Sequence, residues 1–284
     1  MKQNKKNCDL KSCVLCKQCL PDWLPALDTN RKSFHVKKGE LLFKEGEEVK
    51  GMYFINTGLV KVHKKWSNDK ELILRIASNG DIVGHRGLGS DTIYPVSGTA
   101  LEPTEVCFLS LDFFNATLKV NHDFLYQLMM FFASELKESE KRMRNLAHMN
   151  VKGRIANALL YLKQKFGTES NGFIDLSISR QDLASYTGTT YESLFRIMNE
   201  LVAENAIYTD GKKIRILIAV WYPAEAAECP VSATSLARKI QLQDPMMNCM
   251  VPGVATLSKE PMMVKSGRQF AVLSFTIPFP PNRW

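Results

Sequence analysis

The stretch SRQDLASYTGTTYESLFRIMNELV, residues 179–202, most constrains how this chain can fold. It predicts two short helices joined by a tight turn. Ala184 stands where a bulky side chain would push the helices apart, and Gly188 supplies a turn in which a positive φ costs little. Leu194 points back into the pair, with Leu183 and Ile197 completing a small core. The outer face of the second helix then carries Thr189, Thr190, Tyr191, Glu192, Ser193, Phe195, Arg196 and Asn199, groups that can reach phosphates and base edges. Ser179 and Arg180, which open the stretch, join that set of candidate DNA contacts. An ordinary helical hairpin would use the same small residues, but their spacing together with an outward arginine favours DNA binding.

The flanking residues extend the motif. A helix is expected over 154–166, with Ile155, Leu159, Leu162 and Phe166 on one face. The run FIDLSI, 173–178, reads as a strand, and Asp210-Gly211 between apolar runs signals a hairpin. Lys212 and Lys213 at its tip can meet phosphates, which makes the module a winged helix-turn-helix over 150–220. Asn150 to Gly153 reads as a hinge before it, since glycine interrupts a helical pattern. The formal charge of +8 and the pI near 9.0 suit a polyanionic partner, and would also suit a membrane surface. No apolar run approaches the ~20 residues that cross a bilayer. The basic start MKQNKKNCDLK lacks the apolar core of a signal peptide, so a cytoplasmic location and no membrane partner are expected.

Cysteine is concentrated at the other end of the chain. Cys8, Cys13, Cys16 and Cys19 follow C-x4-C-x2-C-x2-C. Thiolates this dense repel one another and oxidise readily, so such a run usually holds a soft metal. Iron–sulfur clusters favour these gaps and zinc tolerates them, while a metal-free tail remains the plain alternative. Neighbours this close crowd one another, so a ligand from elsewhere is expected. Cys107 is the only other cysteine before the DNA-reading region.

Between the two ends, 31–123 reads as short strands punctuated by Gly39, Gly46, Gly51, Gly58, Gly80 and Gly84, a small antiparallel β-roll. His35, His63 and His85 are scattered in it and form no H-x-H pair, which argues against a metal-dependent oxygenase. Over 124–149, Leu125, Met129, Phe132, Leu136, Ser139, Met143 and Leu146 alternate steps of four and three. That is a coiled-coil seam with charged flanks. A helix lying on its own β-roll could show it too, but the narrow stripe favours a homodimer.

This order of parts resembles the CRP/FNR family of bacterial transcription regulators. KKGELLFKEGEEVKGMYFINTGLVKV, GDIVG and SRQDLASYTGTTYESLFRIMNEL carry the resemblance. It implies an α+β chain: a cyclic-nucleotide-binding-like β-roll, a long dimerisation helix and a winged helix-turn-helix on a near-palindromic operator, with RNA polymerase as a further partner. Cyclic-AMP binders of the family follow GDxxGE with an Arg-Ser pair on the phosphate. Here the glutamate position is His85 and the Arg-Ser positions are Tyr94-Pro95, so cyclic nucleotide binding is not expected. The FNR branch holds a [4Fe–4S] cluster on three N-terminal cysteines and one internal cysteine, whose position Cys107 takes. The N-terminal spacing departs from the FNR pattern, and the three ligands among Cys8, Cys13, Cys16 and Cys19 stay open. A zinc or thiol redox regulator, or a haem-dependent gas sensor of the same fold, is the alternative. On the second helix Glu192 would accept from a cytosine amino group and Arg196 would grip guanine, while Phe195 replaces the FNR serine. Residues 1–30 make the Cys-rich segment, and 221–284, rich in proline with PFPP at 278–281, fall outside the plan and are expected to be poorly ordered.

Overall fold

The computed structural model describes residues 1–4, 13–67 and 70–217. Cys8 and the segment 221–284, with Cys229 and Cys249, lie outside the described residues. The chain opens with β1 (Lys2–Asn4), α1 (Val14–Gln18) and α2 (Leu24–Asn30). Then follow β2 (Lys32–Val36), β3 (Leu41–Phe43), β4 (Gly51–Thr57), β5 (Val60–Ser67), β6 (Lys70–Ala77), β7 (Ile82–Val83), β8 (Ser97–Ala100) and β9 (Thr104–Ser110). They form two antiparallel sheets in the orders β1-β2-β9-β4-β7 and β3-β8-β5-β6. Their alternating side chains meet in one core containing Val36, Phe43, Met52, Phe54, Val60, Val106 and Leu109. This is the β-roll expected from the glycine-punctuated runs.

Two helices close the roll. Phe114 of α3 (Leu111–Val120) is fully buried in that core, and so nearly are Phe124 and Leu128 of α4 (His122–His148). The opposite side of α4 is uncovered in the single chain. Leu125, Met129, Phe132, Leu136, Met143 and Leu146 are all exposed, Leu136 by 60% and Met143 by 64%. Helix α4 therefore carries two apolar stripes, one against its own roll and one largely open, of which Phe132 also meets His85 and Leu146 the Gly188 turn.

Helix α5 (Val151–Phe166) begins earlier than the periodicity indicates. Only Met149 and Asn150 leave helical geometry, and the Asn150 side chain caps α5 by accepting from the Gly153 amide at 2.8 Å. Gly153 is no hinge: it lies within the first turn, where a Cβ would stand 2.8 Å from Met149 Cγ. The run 173–178 is not a strand of any sheet. Phe173 and Ile174 make only isolated bridges, to Arg215 and Thr168, while Ile174, Leu176 and Ile178 turn inward. Alternation there marks an extended segment whose pairing with Lys213–Ile216 stops after Phe173 and Ile174 and is not continued into a ladder.

The C-terminal part comprises α6 (Arg180–Thr187), α7 (Tyr191–Ala203) and the hairpin β10 (Ile207–Asp210) with β11 (Lys213–Ile216). Its core joins α5, α6 and α7 to Leu59, Ile73 and Ile76 of the roll. Charged side chains line the same junction. Lys61 of β5 binds Glu71 and, at 2.8 Å, Asp182 of α6. Lys165 of α5 donates to the Ile76 carbonyl at 2.7 Å and to Asp81 at 3.2 Å. Arg142 of α4 donates to the carbonyls of Leu74, of Ile73 at 3.0 Å and of Tyr186 at 2.8 Å, with its guanidinium over the Tyr186 ring.

Glu71 makes this junction pH-dependent. His63 and then Lys61 hold its carboxyl down to about 2, below its ordinary 4.5. A depressed carboxylate stabilises the fold above its unfolded-state value and loses that contribution as the pH falls through the folded one. Glu71→Gln is thus expected to cost roughly 1–2 kcal/mol near neutral pH in urea unfolding. The difference from the parent chain should shrink as the pH drops from about 4.5 toward about 2. A difference that stays constant with pH would mean that the glutamate charge contributes nothing.

Candidate DNA-reading face and buried cysteine site

Helices α6 and α7 are capped by their own side chains. The Ser179 hydroxyl accepts from the Asp182 amide at 3.0 Å, and the Thr190 hydroxyl accepts from the Ser193 amide at 3.2 Å. Gly188 joins them at φ +64°, and a Cβ there would come within 2.7 Å of Leu146. The turn therefore needs glycine both for its backbone and for the approach of α4. Leu183, Ala184, Leu194 and Ile197 are buried between the helices.

The outer residues occupy different situations. Tyr191, Glu192, Phe195, Arg196 and Asn199 are exposed along α7, with Thr189 and Ser193 half-buried at its start. Arg196 pairs along the helix with Glu200 at 2.7 Å. The i,i+4 spacing of Arg196 and Glu200 is itself the sequence signal for this pair. Tyr191 stacks on Phe195, ring centroids 6.3 Å apart. Ser179 and Thr190 serve as caps, and Arg180 donates to the Gly211 carbonyl at 3.1 Å, tying α6 to the hairpin tip. Lys212 is exposed there, while Lys213 binds Glu169 at 2.8 Å. A solvated face with arginine, glutamate, hydroxyls and a lysine-tipped wing can meet phosphates and base edges together.

At the far end Cys13 precedes α1, Cys16 lies within it and Cys19 follows it. Cys107 sits in β9, opposite Ser33 of β2 and Phe54 of β4. All four are buried in the core of the roll, beside Leu15 and Leu27. Burial, with Cys13 adding its own charge, pushes the Cys19 thiol up to about 11 and the Cys107 thiol up to about 12. Arg31, hydrogen-bonded to the Cys107 sulfur, opposes that rise. In softness and seclusion these thiols suit an iron–sulfur or zinc centre. In placement, among the described residues, no three His, Cys, Asp or Glu side chains stand together as metal ligands.

The positions of a nucleotide grip are occupied differently. Tyr94 is buried, stacks on Phe43 at 4.6 Å and donates to the Gly51 carbonyl at 2.8 Å. The Pro95 carbonyl accepts from Lys64 at 3.4 Å. His85 lies against Phe131 and Phe132 of α4, at 5.0 and 5.5 Å. Burial, reinforced by Arg75 and Arg86, lowers it to about 3 and keeps it neutral. Arg86 itself pairs with Glu135 at 3.1 Å.

A β-roll followed by a long helix and a winged helix-turn-helix with a solvated reading face defines a DNA-binding regulator rather than an enzyme. Residues 33–121 match the cyclic nucleotide-binding domain, and 153–218 match the Crp-like helix-turn-helix domain. The anaerobic regulatory protein of Bacillus subtilis is 29% identical over 223 residues, 76% of this chain and 92% of that protein. The cAMP-activated global transcriptional regulator CRP of Salmonella typhimurium is 30% identical over 202 residues, 68% of this chain and 95% of that protein. The solved structure of FixK2 from Bradyrhizobium japonicum superposes with a TM-score of 0.60 at 23% identity, covering 66% of this chain and 93% of that one. The chain belongs to the CRP/FNR family of transcription regulators, whose members bind DNA and act as dimers. Among the described residues no helix is long and apolar enough to cross a membrane.

Proposed function

We propose that this regulator binds a near-palindromic operator as a homodimer and that an oxygen- or nitric-oxide-sensitive [4Fe–4S] cluster controls that binding. Cys107 and three of Cys8, Cys13, Cys16 and Cys19 would hold the cluster. Residues 31–123 are the sensing roll, 124–149 the dimerising helix and 150–220 the DNA reader, working in the cytoplasm beside RNA polymerase. The observation that carries the reading is the seclusion of Cys13, Cys16, Cys19 and Cys107 in one core, although they come from segments far apart in sequence. When bound, such a cluster supplies a centre that oxygen or nitric oxide converts, which weakens the dimer and releases DNA. The chain's own residues do the rest. Arg31 places positive charge at the Cys107 sulfur, α1 and its flanks bring Cys13, Cys16 and Cys19 into the core of the roll, and Arg142 of α4 ties β6 to α6.

Two alternatives are weaker for stated reasons. Burial raises the Cys19 and Cys107 thiols, which disfavours the free thiolate through which a bare thiol switch reacts, whereas a bound metal would supply the counter-charge that a thiolate needs there. The Tyr94 and Pro95 positions offer no cationic grip for a cyclic phosphate. Anaerobic purification followed by visible absorption and metal analysis tests the proposal. A broad brown absorbance that bleaches in air, with iron and acid-labile sulfide in equal amounts, is expected. A sharp Soret band would replace the cluster with haem, and a colourless protein with stoichiometric zinc would replace it with a structural metal.

A further inference from the structure

Helix α7 fills its inner face with Leu194, Ile197, Met198 and Leu201, all buried. Tyr191 and Phe195 take no part in that core. They remain 43% and 54% exposed, with rings inclined by only 16°. One turn apart, they form an apolar column beside the polar column of Glu192 and Arg196. Two large rings held in water are costly unless a partner covers them. Lys212 on the wing is exposed for a phosphate, and the exposed Arg196 beside the rings can exchange its Glu200 partner for a base edge or phosphate.

The major groove admits a helix, and the thymine C5-methyl is the apolar group that its base edges present there. We propose that Phe195, braced by Tyr191, reads thymine methyl groups in the operator half-site. The inference rests on α7 being the helix that enters the major groove. Phe195 has no polar atom and can prefer a base only by covering apolar surface. Tyr191 stacks behind it and restricts the ring, so that less rotamer freedom is lost on binding. One helical turn of ~5.4 Å is longer than one base-pair step, so the column spans about two adjacent pairs. The polar column would then specify neighbouring positions by hydrogen bonds, with the two columns reading different chemical features of one half-site.

The test uses the full-length protein, purified and kept without oxygen, and duplexes enriched from a randomised DNA pool, followed by anisotropy titration. Each thymine of the enriched site is replaced singly by deoxyuridine, which removes only the methyl group. At one or two positions per half-site the parent protein should lose about three- to fivefold in affinity. Phe195→Ser should bind the thymine and uracil duplexes equally at those positions, and Tyr191→Ala should narrow the difference. Both residues are exposed, so both variants should fold, which their circular dichroism will show. A parent protein indifferent to uracil at every position would overturn the methyl reading while leaving α7 as the DNA reader. If no sequence enriches at all, the underlying assignment of α7 fails instead.

Discussion

Cys107→Ser protein, purified without oxygen, is expected to lack the visible absorbance and sulfide of the parent while keeping its fold. The cysteine is buried in β9 between β2 and β4, and serine is slightly smaller, so the strand pairing has no steric reason to change. Arg31, which bonds the sulfur, can donate to the hydroxyl instead, and even an unpartnered buried hydroxyl costs roughly 1–3 kcal/mol, which a chain of this size can absorb. What the substitution removes is a soft ligand, and oxygen does not replace sulfur well at iron. Cys13, Cys16 and Cys19 would remain, so a partial centre with less iron is the most that should survive. Unchanged iron and sulfide in the variant would show that β9 supplies no ligand and that Cys8 completes the set. Circular dichroism and thermal unfolding separate this outcome from simple misfolding.

Leu136→Glu should convert the protein from dimer to monomer and lower its affinity for a two-half-site operator by about 100-fold or more. Leu136 is 60% exposed in the single chain, so a carboxylate there leaves the protomer undisturbed. In a paired seam two glutamates would face each other, removed from water and without counter-charge. The operator affinity falls because the second half-site is no longer bound intramolecularly. Binding to a single half-site should change little, which isolates the avidity effect. A variant that still sediments as a dimer would place the interface away from the 125–146 stripe.

Much of this architecture could be read from the residues, and the shortfalls have a common origin. Strands β4, β5, β6, β8 and β9 were visible because alternation and glycine turns are local signals. The hairpin at Asp210-Gly211 was visible for the same reason. The segment 173–178 misled because alternation reports which side is buried and says nothing of a neighbouring strand. At the start of α5 the propensity of Gly153 points to a break, whereas the Asn150 cap and the contact with Met149 decide for helix. At the candidate sites, sequence indicated which groups were available but not what they touch. Nothing local told that Arg180 reaches Gly211, that Asp182 meets Lys61, or that Arg31 lies at the Cys107 sulfur. Each of these pairs joins segments that only the tertiary fold brings together.

The bonds of Arg142 carry a mechanical consequence. One guanidinium from α4 reaches carbonyls of β6 and the Tyr186 carbonyl of α6. Those acceptors belong to the roll and to the reader, and the donor belongs to the helix whose open stripe faces outward. A twist of α4 about its axis cannot spare either neighbour without stranding a positive charge among half-buried groups. The arginine thus fastens three elements at one point, and any rotation of α4 has to break these bonds or carry β6 and α6 along with it.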